Sequence, residues 1–432
     1  MDNSLIKKTK KSFDVFEAAL ACIIFIVFNF VFLQIFYALP SAIKTGPFVI
    51  LANFMLEALF GVASWVVAKT TNIDLIKAAG FNKKVNGKIV WYGFLTAVVS
   101  LCMFGMLTYC FMDFLILCGY KPLTSSIKIN NFATYIVYII VSCATPALCE
   151  EMLFRGVIQT GLKKYGTKIA VLISTLIFML MHGSPDQTIH QFIVGMVLGY
   201  VFAKSGNIWI GVIIHFFNNF ISVTQLYLSS MASSAAEASA QEVATEALIS
   251  NTWTGLLGEF VFAVLLAFAG YYIIGALIKY MVRESEIVNK KTETINIVSN
   301  LETANANNGL LEQGSEKNNE NNNLNQTVNV SMKKDEFAIN PDDYKIDMNN
   351  YVTTGESTEN VSSENTNDGA VSENQEVSQS QENGEGLADG QVVASVDDSK
   401  KPMSMSTIIM FVLSGGYLVF QWLLTLISGF MG

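Results

Sequence analysis

Nine separate apolar runs decide most of what this chain can fold into, before any motif is read. They lie at Ala18–Leu39, Phe48–Val67, Ile89–Cys118, Phe132–Ile158, Ile169–His182, Gln191–Ala203, Ile208–Tyr227, Leu256–Tyr280 and Thr407–Phe430. A helix of roughly 20 apolar residues crosses the roughly 30 Å hydrocarbon core of a bilayer. In lipid every backbone N–H and C=O must be paired within the protein, which leaves helices or closed barrels. The runs are continuous rather than alternating, so they are expected to be helices. The expected fold class is an all-α polytopic membrane protein, with about eight transmembrane helices in a core and one C-terminal helix beyond a disordered tract. Charged residues make up 15% of the chain, against about 25% in soluble proteins. The fifth run is cut off by Gly183-Ser-Pro185 and the sixth is short, so both are expected to tilt or to cross incompletely.

Composition divides the chain into four parts. Residues 1–16 form a basic N-terminus, 17–283 the eight-span core, 284–402 a polar tract and 403–432 the last span. The tract is dominated by Asn, Glu, Ser, Gln and Thr. It offers too little apolar surface to offset the entropy of ordering, and disorder is expected. It reads as a cytosolic linker or as a binding segment for a cytosolic partner. Most of the net charge of −9 belongs to it, and nothing resembles a basic face for nucleic acid. With the N-terminus inside, the inner segments between residues 7 and 291 hold eighteen Lys and Arg residues, the outer ones only Lys44, Lys121 and Lys128. By the positive-inside rule this places the N-terminus in the cytosol of a multi-pass cell-membrane protein. Cys22, Cys102, Cys110, Cys118, Cys143 and Cys149 all fall in apolar runs without CxxC spacing and read as small core residues.

Within the fourth run, two adjacent acids and an arginine stand where a membrane helix resists them. Each ionisable residue at mid-membrane costs about 3 kcal/mol, so Glu150, Glu151 and Arg155 need a purpose. Glu151 and Arg155 are four apart and share a helix face, while Glu150 is turned about 100° away. Pro146 is expected to kink the helix near the pair, and Gly156 marks a second point of bending or ending. All three histidines of the chain, His182, His190 and His215, lie in the spans that follow. His215 and Asn219 share a face, and Phe178 lies one turn below His182. His190 reads as a loop or interfacial residue and Asn218 as a helix-to-helix hydrogen-bonding residue. Glu57, Asp113 and Glu259 are further acids within apolar runs.

A carboxylate, two imidazoles and a carboxamide in a shielded cavity suit amide hydrolysis. The carboxylate takes a proton from water, a histidine orients that water, and the remaining donors meet the developing oxyanion. The same carboxylates and histidines equally suit Zn²⁺ with an open position for water. Neither HExxH nor GxSxG occurs, so the common zinc and serine hydrolase signatures are missing.

At these positions the chain resembles a known family. Glu150-Glu151-Met-Leu-Phe154-Arg155-Gly156 matches the EExxxR motif of the CAAX-processing and bacteriocin-processing (CPBP) intramembrane proteases, which include type II CAAX prenyl endopeptidases and Abi-like proteins. Phe178-Met-Leu-Met-His182 matches their FxxxH motif and His215-Phe-Phe-Asn-Asn219 their HxxxN/D motif. The resemblance is close over about residues 132–225. It implies that Glu150 is the base acting on water with His182 assisting, that His215 and Asn219 form the oxyanion site, and that Glu151 and Arg155 support them. It leaves open a metal such as zinc, with Glu150, His182 and His215 as its ligands, or a metal-independent glutamate mechanism. It implies a peptide or protein substrate met at the bilayer, of CAAX, leader or bacteriocin type. Some members of the family act instead as non-proteolytic scaffolds or bacteriocin self-immunity proteins through partner binding. A secondary transporter is the weaker reading, because transporters commonly carry repeated halves and the Glu-Glu element occurs once.

Overall fold

Local capping signals fix where the first helices begin. Asp14 accepts the Val15 N–H at 2.6 Å, and its own N–H donates to Glu17 at 2.8 Å, closing a capping box. This starts α1, Val15–Ala38. Helix α2, Gly46–Thr71, ends on Asn72 in the left-handed conformation, φ 54°. After a single turn at Leu75–Ala78, the Asn86 side chain accepts the Ile89 N–H and opens α3, Gly87–Leu117. The remaining helices are α4 (Phe132–Tyr165), α5 (Thr167–Met181), α6 (Thr188–Ser205), α7 (Ile208–Ala235), α8 (Trp253–Gln313) and α9 (Met405–Met431). This computed structural model describes residues 12–122, 129–235, 253–313 and 402–431.

The chain is an all-α polytopic membrane protein. Among the described residues seven helices are long and apolar enough to cross a membrane: α1, α2, α3, α4, α7, α8 and α9. The fifth and sixth apolar runs became the shorter helices α5 and α6, with 15 and 18 residues. At ~1.5 Å per residue α5 is about 22 Å long, short of a ~30 Å core. Together α5 and α6 form a hairpin that turns at His182–Gln187. Both of its ends lie near lysines: α5 follows Lys163 and Lys164, and the Ser205 carbonyl at the end of α6 accepts from Lys83 at 2.7 Å.

Helix α4 is the central element, packed against α1, α2, α5 and α7. It is not a uniform α-helix. Two wider π-type segments, Ile139–Ala144 and Met152–Gln159, flank an α-helical piece, Thr145–Glu151. The first lies just before Pro146, whose missing N–H and ring disturb the regular ladder there. Gly156 does not end the helix. A side chain there would come within 2.9 Å of the Ala79 Cβ, so the glycine admits the short turn that crosses α4.

Between lipid-surrounded helices the hydrophobic effect gives little net attraction, and close packing through small residues takes its place. Gly195 and Gly199 on α6 provide such a seam. A Cβ on Gly195 would lie 2.9 Å from Thr175, and one on Gly199 would lie 3.1 Å from both Gln159 and Val171. Polar bonds close the seam: Arg155 Nη2 donates to the Gly195 carbonyl at 3.2 Å and Gln159 Nε2 to the Gly199 carbonyl at 2.8 Å. Phe25, Phe60, Phe154 and Phe178 join α1, α2, α4 and α5 in one apolar core.

The chain separates into two units, residues 1–306 with 397–432 and residues 307–396. Of the second unit only 307–313, the end of α8, are described. Residues 284–313, the start of the tract expected to be disordered, are helical. They extend a membrane helix, so no new nucleus is needed, and the first turns are anchored. Glu284 accepts from Asn86 at 2.8 Å, Ser285 accepts from Asn207 at 3.0 Å, and Asn289 accepts the Lys84 N–H at 2.8 Å. Residues 314–401 of the tract, the N-terminal Lys7, Lys8, Lys10 and Lys11, and Lys128 lie outside the described residues. Helix α9 packs on α1 and α5, with Leu418 buried in the same core, and Trp422 Nε1 donates to Thr188 at the start of α6 at 2.9 Å.

Candidate active site

Glu150 and Glu151 sit at the end of the α-helical piece of α4, 4% and 0% exposed. Their one-residue offset sends them to different partners. Glu151 Oε1 accepts from Arg155 Nη1 at 2.7 Å and from His215 Nδ1–H of α7 at 3.1 Å. Glu150 turns toward the other ring nitrogen: its Oε2 stands 3.9 Å from His215 Nε2. That oxygen is buried and has no hydrogen-bond partner among the described residues. At 3.9 Å the two atoms are too far apart for a direct hydrogen bond, but a small oxygen between them would touch both.

The Glu151 carboxyl lies over Gly211, one turn before His215 on α7. A Cβ on Gly211 would be 2.8 Å from Glu151 Oε2, so only glycine leaves room for the carboxyl that holds the imidazole. Arg155 is 1% exposed, and its guanidinium also stands 4.7 Å from the centre of the Phe178 ring. In a desolvated site such a cation–π contact is worth about 2 kcal/mol. A buried ion pair of this kind fixes geometry more than it stabilises, because desolvation offsets much of the attraction.

Phe178 is fully buried and central to the aromatic packing. Its ring meets Phe154 at 4.9 Å, His182 at 4.8 Å and His215 at 6.0 Å between centroids, all edge-on. His182, at the C-terminal cap of α5, donates Nδ1–H to the Phe178 carbonyl at 2.8 Å. That bond leaves Nε2 as the free nitrogen. Asn219 lies one turn beyond His215 and is partly buried; its Oδ1 accepts from Asn218 Nδ2 at 3.3 Å.

Two residues join this cluster from outside the motifs. Glu57 of α2 brings its carboxyl group up against that of Glu150. His190, expected as a loop or interfacial residue, lies in the first turn of α6 and accepts through Nε2 from Asn218 Nδ2 at 3.2 Å. An acid midway along an apolar run was the available signal for Glu57. For His190 it was the grouping of all three histidines within residues 182–215. Asp113 faces a different acid, Glu259 of α8.

The metal reading asks for a cluster of ligands. Among the described residues no group of three or more His, Cys, Asp or Glu side chains is arranged to hold an ion. His182 and His215 each commit Nδ1 to a protein acceptor, and His215 Nε2 lies 3.9 Å from Glu150. The side chains as placed do not fit a shared metal ion. They leave Glu150 Oε2 unpaired among the described residues, 3.9 Å from His215 Nε2.

Residues 132–221 match the family described as type II CAAX prenyl endopeptidase Rce1-like. No curated protein and no solved structure matches the chain.

Proposed function

We propose that the chain hydrolyses a peptide bond with water activated by Glu150, a reading supported by the similarity of residues 132–221 to the type II CAAX prenyl endopeptidase Rce1-like family. The observation that carries this reading is the juxtaposition of Glu150 Oε2 and His215 Nε2 across 3.9 Å, with His215 held from behind by Glu151. Glu150 takes the proton from water, and the hydroxide attacks the scissile carbonyl carbon. Glu150 then returns the proton to the amide nitrogen as the C–N bond breaks. His182 directs its free Nε2 to the same water.

Asn219 Nδ2 and His215 Nε2 meet the oxyanion. Because Glu151 takes the His215 Nδ1–H, Nε2 donates only when the ring carries its second proton. Glu150 and the histidines carry the proton transfers themselves. The substrate is a peptide or protein presented at the membrane, of CAAX, leader or bacteriocin type. We place the chain in the cell membrane with a cytosolic N-terminus, on the strength of the lysine distribution. The test is cleavage of a peptide processed by the purified wild-type protein. Glu150→Gln should lower kcat about a thousandfold, within the range for losing a general base. Undiminished cleavage by that variant would remove Glu150 from the mechanism.

A further inference from the structure

Asn219 can serve an oxyanion only if its amide is turned with the NH2 group toward the reacting carbonyl. Nothing in the HxxxN spacing fixes that choice, because an asparagine side chain is nearly symmetric in shape. The residues behind it make the choice. Asn218 Nδ2 is 3.3 Å from Asn219 Oδ1 and 3.2 Å from His190 Nε2. An amide NH2 has two hydrogens, and these two acceptors use both.

Two arrangements satisfy both contacts, this one and the one with both amides turned over, and the His190 tautomer chooses between them: a ring proton on Nε2 would call for the Asn218 oxygen instead. If Asn218 alone were turned over, its own oxygen would face Asn219 Oδ1, putting two acceptors in contact. If Asn219 alone were turned over, two NH2 groups would face each other. With His190 accepting at Nε2, its ring proton sits on Nδ1 and Asn218 keeps its NH2 inward. Asn219 Oδ1 is then engaged, and its NH2 is left free to point to the substrate. Asn218 is 3% exposed, and its Oδ1 is buried with no hydrogen-bond partner among the described residues. In the observed arrangement all of the Asn218 side-chain contacts run through its NH2 group.

We propose that His190, acting through Asn218, sets the orientation of Asn219 and is a positioning residue of the oxyanion site. The proposal deepens the proteolytic reading and rests on it. His190 does not touch the substrate. Its chain position, on the first turn of α6 beside the His182 turn, ties the α5–α6 hairpin to the catalytic face of α7.

The test uses the purified full-length chain and the same peptide substrate. His190→Leu should lower kcat roughly tenfold with KM little changed, less than the 10²–10³ loss from deleting an oxyanion donor. His190→Gln presents an acceptor oxygen and should recover most of that loss. In an Asn219→Ala background, His190→Leu should have almost no further effect, because the group it orients is gone. Multiplying losses in that double variant, or an undiminished His190→Leu rate, would overturn the proposal. So would His190→Gln as slow as His190→Leu. Asn218→Leu provides an independent entry to the same cycle should His190→Leu fail to fold. Undiminished cleavage by Glu150→Gln would instead remove Glu150 from the mechanism, whatever the histidine variants do.

Discussion

Glu151 carries two jobs on one oxygen. It holds Arg155 at 2.7 Å and aims His215 at 3.1 Å, and both depend on the space left by Gly211. Gly211→Ala would place a methyl 2.8 Å from Glu151 Oε2, forcing the carboxyl or α7 to shift. Overpacking of this kind costs about 1–3 kcal/mol, and a displaced imidazole slows chemistry about tenfold or more. Thermal unfolding in detergent and kcat should both fall in that variant, with substrate KM the less affected. An unchanged kcat would mean that His215 does not depend on Glu151. The Glu151–Arg155 pair was legible in the sequence because helical spacing puts residues four apart on one face. The contact of Glu57 with Glu150 and the bond from His190 to Asn218 were not. Each joins two helices, and their relative rotation is set by packing that no local pattern records.

At the scale of elements, the sequence carried the apolar runs but not how each would be used. The length of α5 was visible, yet its role as one arm of a hairpin depends on both ends returning to the lysine-bearing loops. The wider turns of α4 left only Pro146 as a trace. The helical start of the tract, 284–313, runs against its composition because α8 supplies a formed helix end and Asn86, Lys84 and Asn207 anchor it. The last span had no evident purpose in the sequence. In the fold, Trp422 of α9 donates to Thr188, two residues before His190. Trp422→Phe keeps the ring and removes the donor. The bond is neutral, so its loss should cost about 0.5–1.5 kcal/mol in stability. It should also lower kcat a few-fold by loosening the first turn of α6. A variant with wild-type kcat and reduced stability alone would make α9 a packing element only.

Across the whole molecule, the motif-bearing helices α4, α5 and α7 converge, while α8 and α9 leave much of their apolar surface for lipid, as at Leu257, Phe260, Leu265, Val412 and Leu413. The α5–α6 hairpin has arms of 15 and 18 residues and carries His182 and His190 at its turn, and arms this short are expected to end within a ~30 Å hydrocarbon core. Water must therefore reach a site walled by apolar helices, and its route to product distinguishes a base from a nucleophile. The most direct measurement is a single turnover of peptide cleavage in water labelled with heavy oxygen, followed by mass analysis of both the product and the protein. If Glu150 acts as the base, one labelled oxygen appears in the new peptide carboxylate and none in Glu150. Label in the Glu150 carboxyl would show that it forms a bond to the substrate and would contradict the account.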